Sequence, residues 1–160
     1  MTALKQEPMA KIWRLLVSIS VTMLVPGCAS FSSTSDNRAG LAGAWIVTAS
    51  RPTGVGKNLL TFSSDGTFFR SGDTHPVLSG AHGTWKRVGD KEFDATYIAF
   101  RFDQSGKWIG SQKTRIRISQ GPGENEFTGV AKVSILDLQD KEQSTSETRL
   151  QGKRIQVEAF

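Results

Sequence analysis

Residues 92–102 read EFDATYIAFRF, and Phe93, Ala95, Tyr97 and Ala99 fall on one parity, the period of a pleated strand with one buried face. Residues 126–136 (EFTGVAKVSIL) repeat the pattern with Phe127, Gly129, Ala131, Val133 and Ile135, and upstream Trp45, Val47 and Ala49 do the same. From Leu41 onward, Gly, Pro, Asn, Asp and Ser punctuate short apolar or alternating runs, and no stretch carries a long helical period with caps. The domain therefore reads as all-β.

Turn signals at Arg51–Lys57, Ser64–Gly66, Ser71–Gly80, Gly89–Lys91, Asp103–Gly106, Gln120–Asn125 and Asp137–Gln143 separate eight expected strands. These are Ala44–Ser50, Asn58–Ser63, Thr67–Arg70, His82–Val88, Glu92–Phe102, Trp108–Ser119, Glu126–Leu136 and Ser144–Glu158. Short turns make sequential neighbours antiparallel, and eight strands in meander order remove both sheet edges by closing into an up-and-down barrel. Such a barrel has room inside for its own side chains or one small ligand. Lys113, Arg115 and Arg117 alternate with Thr114, Ile116 and Ile118, which reads as a solvated outer face, because inward arginines would need partners or an anion. The change of parity between Leu150 and Ile155 predicts a bulge near Gly152.

The full chain has 160 residues, 38% hydrophobic and 22% charged, with a single cysteine, which fits one folded domain and excludes a disulfide framework. Its net charge is +5, but setting aside Lys5, Lys11, Arg14 and Glu7 in residues 1–27 leaves 17 basic against 14 acidic residues, scattered along the chain. Phosphate binding needs positive charge gathered into a stripe, so no nucleic-acid partner is expected.

Lys11 to Arg14 is basic and Leu15–Val25 (LLVSISVTMLV) is apolar, followed by Pro-Gly-Cys and a Ser/Thr-rich segment. As a helix this run rises only about 16 Å, roughly half the hydrocarbon thickness, so it reads as an N-terminal signal helix rather than a permanent span. Val25-Pro26-Gly27-Cys28 resembles the box of bacterial lipoprotein signals: an aliphatic residue, a small residue, Gly or Ala, then cysteine. The resemblance implies a signal peptide of residues 1–27, cleavage before Cys28, and acylation there, palmitate being a usual chain. It further implies a bacterial cell-envelope protein held in the membrane through Cys28. With Ala29 next, in a Gram-negative cell it would sit on the outer membrane facing the periplasm. Residues 28–40 then form the acylated cysteine and a flexible tether, and residues 41–160 the β-barrel domain.

Gly43-Ala44-Trp45 opens the first strand with Gly-x-Trp, and the eight-strand meander ends near Arg154. This resembles the lipocalin and calycin group. In that group the glycine lets the chain turn under the barrel, the tryptophan plugs the closed end and a late arginine packs over the indole, which makes Trp45 and Arg154 the expected barrel plug. His82-Gly83-x-Trp85 and Phe93 to Phe102 also look like uncharacterised bacterial small-barrel proteins.

No catalytic constellation is visible. His75 and His82 form no ligand pattern, where a structural zinc site wants four Cys or His ligands, so neither a metal nor another cofactor is expected. Gly-x-Ser-x-Gly is absent, and Gly121-Pro122-Gly123 lacks the Lys-Ser/Thr of a phosphate cradle. Trp45, Phe62, Phe69, Trp85, Phe93, Tyr97 and Phe127 can fill the barrel or line a pocket in it. In a pocket, Tyr97 and His82 would orient a mostly apolar ligand and Trp85 would stack on it. The leading expectation is a small-molecule-binding, lipocalin-like lipoprotein, taking a small apolar ligand or a lipid. The alternatives are an envelope structural or interaction protein with a filled barrel, and a barrel isomerase or cyclase using His82 or Tyr97.

Overall fold

The computed structural model describes residues 40–51, 54–74 and 76–160. The expected signal helix, Cys28, most of the tether and His75 lie outside the described residues.

Eight strands follow one another: β1 (Gly43–Arg51), β2 (Gly54–Phe62), β3 (Thr67–Gly72), β4 (Leu78–Gly89), β5 (Glu92–Phe102), β6 (Trp108–Gln120), β7 (Glu126–Leu136) and β8 (Glu142–Arg154). Each pairs antiparallel with the next, and β1 pairs with β8 to close an up-and-down barrel. β5 and β7 run as their alternation predicts, while β4 starts at Leu78 rather than His82. Its first residues join through a register shift between Leu78 and Ala81, where the Ser79 hydroxyl accepts the Phe100 N–H at 2.9 Å.

Two expectations are corrected. β8 ends at Arg154 and passes Gly152 in unbroken register with Val47 and Phe127, so there is no bulge there. The parity change arises because Ile155 lies beyond the strand. Gly152 faces inward beneath the Phe127 ring, where a Cβ would fall 2.2 Å from the ring's Cε1. In β3 the buried aromatic is Phe68 rather than Phe69. The tight turn after β2 sets Phe62 opposite Phe68, and the two rings stack with centroids 4.5 Å apart, leaving Phe69 on the outer face.

Inward side chains fill one end of the barrel. Trp45 meets Phe127 at 4.9 Å between ring centroids, and Trp85 bridges Phe62 and Phe93 at 5.7 and 5.8 Å. Beneath them Leu41 is fully buried and its carbonyl accepts the Trp45 indole N–H at 2.9 Å. Arg154, directly opposite Trp45 in the β1–β8 ladder, stands with its Cζ 4.3 Å from the indole centroid. Its guanidinium donates to the carbonyls of Ala42, Gly40 and Glu124, tying down the segment that leads into β1. Gly43 has φ +133°, a backbone state that side chains disfavour, and a Cβ there would fall 2.5 Å from Arg154 Nη1. Gly43, Trp45 and Arg154 thus pack as one unit at this end of the barrel. Lys113, Arg115 and Arg117 point outward, with Arg117 Nε donating to Asp94 at 2.9 Å.

Candidate functional site

The aromatic filling stops short of the other end. From Phe62 the ring contacts pass to Phe68 and then to Tyr97, 5.6 Å from Phe68, and beyond Tyr97 the barrel interior opens. The reason lies in residue size. From this level on, aromatic rings give way to aliphatic and polar side chains, several of them as small as Ala49, Thr114, Ala131 and Thr148, which leave the axis unfilled. The result is a cavity of about 380 Å³ at the barrel mouth, within the range of about 300–1,000 Å³ common for small-molecule sites.

Its apolar wall includes Val47, Leu60, Leu78, Val133, Ile135 and Leu150. Its polar wall includes Asn58, Arg70, Tyr97, Thr114 and Thr148. A larger depression of about 630 Å³ runs over outer faces of β1, β7 and β8 between exposed groups such as Thr128, Gln151 and Lys153, and no buried charge lines it.

Arg70 is the chemically distinctive group. It lies on the parity of Phe68, pairs with Leu60 across the ladder, and is 5% exposed. Asn58 Oδ1 accepts from Nε at 2.9 Å and from Nη2 at 2.6 Å, and Thr74 Oγ1 accepts from Nη2 at 3.1 Å. Gly72 makes this possible: a Cβ there would fall 2.2 Å from Arg70 Nη2 and 2.4 Å from Asn58 Oδ1. Burial pushes the guanidinium below its ordinary value. Tyr97 and Asp73 push it up and Arg51 pushes it down. Arginine nonetheless stays protonated at physiological pH.

At the rim, Arg51 folds over Gly56 and faces Asp73 at 3.6 Å. The Lys57 N–H donates to Asp73 at 2.7 Å. That bond is the main cause that holds the carboxyl below the usual range; desolvation opposes it, and the charges of Arg51 and Arg70 add to it.

The expected ligand-orienting residues are not brought together. Tyr97 lines the cavity. Trp85 faces inward but at the plugged end, its indole N–H donating to the Ser63 carbonyl at 2.9 Å. His82 is exposed on the outer face, edge-on to Phe69 at 4.7 Å between centroids, because it pairs with the outward Phe69. Of the two groups suspected for acid or base chemistry, only Tyr97 reaches the cavity. Arg70 was missed, although the short β2–β3 turn carries the signal: pairing Phe62 with Phe68 sends Arg70 inward. Among the described residues no three His, Cys, Asp or Glu side chains gather as a metal cluster.

No family model, curated protein or solved structure matches the chain.

Proposed function

We propose that the chain is a lipid-anchored envelope lipoprotein whose lipocalin-like barrel binds a small apolar ligand or lipid in its mouth cavity. The observation that carries this reading is the void of about 380 Å³ above a packed aromatic floor, lined by aliphatic side chains interspersed with hydrogen-bonding groups. The lipocalin-like label draws support from the Trp45 and Arg154 plug. The anchor draws support from Cys28, the single cysteine, standing where the lipoprotein box requires it.

Native mass spectrometry of the full chain purified from a bacterial envelope fraction, with lipid extraction, tests the binding. A co-purifying small molecule is expected. A bare chain mass, together with no uptake of aliphatic probes by the cavity, would overturn the reading.

A second reading, an envelope interaction protein, is favoured by the exposed outer row Phe69, His82, Ile98, Phe100 and Trp108 on β3 to β6. The same spectrum then shows a second polypeptide in place of a small adduct.

A further inference from the structure

The barrel mouth holds a buried positive charge that no carboxylate of the described residues contacts directly. All three hydrogen bonds of Arg70 end on neutral oxygens, those of Asn58 and Thr74. Among the described residues no carboxylate forms an ion pair with it. Asp73, the acid next to its strand, makes its direct contacts with Arg51 and the Lys57 N–H and acts on Arg70 only through space.

Nε and Nη2 are thereby used, while the two N–H groups of Nη1 have no acceptor among the described residues. On the same cavity wall the Tyr97 hydroxyl also has no hydrogen-bond partner among the described residues. Burying an unpaired charge is unfavourable, and a fold tolerates it readily where another molecule brings the counter-charge.

The geometry points to a small amphipathic anion as the ligand of this cavity. Its acidic head, a carboxylate or a phosphate, accepts from Arg70 Nη1 and the Tyr97 hydroxyl, and its alkyl part lies against Val47, Leu60, Val133 and Leu150. This assignment rests on the cavity being a ligand site and adds the chemical class of the ligand. Asn58 and the bare Cα of Gly72 act as the positioning elements, the one accepting from Nε and Nη2 and the other leaving room for the guanidinium beside it. The volume suits a single short-chain molecule rather than a two-chain lipid.

The test uses the full chain in amphipol, titrated calorimetrically with octanoate, octyl phosphate and octanol, with uptake by empty amphipol subtracted. At least one acid should bind about tenfold or more tightly than the alcohol, since a charge-assisted hydrogen bond contributes enough for such a factor. Comparison of the two acids tells carboxylate from phosphate. In Arg70→Gln the preference should fall to about twofold or less, the polar amide keeping hydrogen bonding without charge. With ¹³C-carboxyl octanoate, the bound acid should titrate below the free acid in the wild type, a shift that a merely structural arginine would not produce.

Equal binding of acids and alcohol, or an undiminished preference in Arg70→Gln, overturns the anion assignment and leaves the apolar-ligand reading standing. No binding by any of the three overturns both. Should Arg70→Gln lose its near-ultraviolet dichroism, Tyr97→Phe serves instead. It should weaken the acids severalfold with the alcohol unchanged, and unchanged acid affinity overturns the proposal.

Discussion

Arg154 Cζ stands 4.3 Å from the centroid of the Trp45 indole, and the two residues are direct partners in the ladder that closes the barrel. One contact thus joins the first strand to the last, and the same guanidinium holds the carbonyls of Gly40 and Ala42. Trp45→Ala should destabilise the domain by about 3 to 5 kcal/mol, read from denaturant midpoints. A loss below about 1 kcal/mol would sink the view that the indole seats this end. Arg154→Lys should recover little, since an ammonium keeps the charge without the fork that reaches three carbonyls.

The phase of β3 makes an opposed pair. Phe68→Ala removes a fully buried ring and should cost about 3 to 5 kcal/mol, whereas Phe69→Ala should stay within about 1 kcal/mol. Chemical unfolding of both variants decides it, and equal effects would contradict the register.

Gly72→Ala should move the Arg70 guanidinium, because the new methyl falls where Nη2 and Asn58 Oδ1 lie. The expected result is a stability loss of about 1 to 3 kcal/mol together with weaker binding of octanoate. The acid's affinity should fall more than that of octanol.

Acid should destabilise the fold through a small set of carboxylates. The Arg117 hydrogen bond lowers the Asp94 carboxyl from its ordinary value, the Lys57 N–H lowers Asp73, the Ser105 hydroxyl lowers Asp103 and the Thr145 hydroxyl lowers Glu142. Each is harder to protonate folded than unfolded. Their contribution is therefore present above the unfolded value, about 4, and is lost as pH falls through the folded values. Stability should be level from about pH 7 to about pH 5 and decline below about pH 4. Asp94→Asn should make that decline shallower in urea titrations at stepped pH.

On the lipoprotein reading, Cys28→Ser should release the chain from membranes into the soluble fraction after cell fractionation, because acyl chains on Cys28 would supply the anchoring free energy. Continued sedimentation with the envelope would contradict the lipoprotein reading.

The barrel was legible wherever alternation was clean. β5 and β7 each carry four or more small or apolar residues on one parity, and their bounds follow. β3 carries adjacent phenylalanines, so alternation alone leaves its phase open, and Phe69, His82 and Arg70 were placed wrongly or overlooked together. The pairing of Phe62 with Phe68 resolves all three at once. Trp85 failed for another reason. Parity tells which face a side chain takes but not its depth, and Trp85 lies among the plug aromatics while Tyr97 lies at the cavity. The meeting of Trp45 with Arg154 follows from closure of the meander, which pairs the start of β1 with the end of β8.

The pairing of Trp45 with Arg154 also has a kinetic side. β1 finds β2 almost immediately, but its second neighbour lies nearly the whole domain away in sequence, and contacts of such separation form late. A nascent chain that has not yet released residues 149–154 therefore keeps two open sheet edges, on β1 and on the last strand then present. The β1–β8 pairing is therefore expected to form last, and a chain truncated before Arg154 should aggregate rather than settle into a shorter barrel.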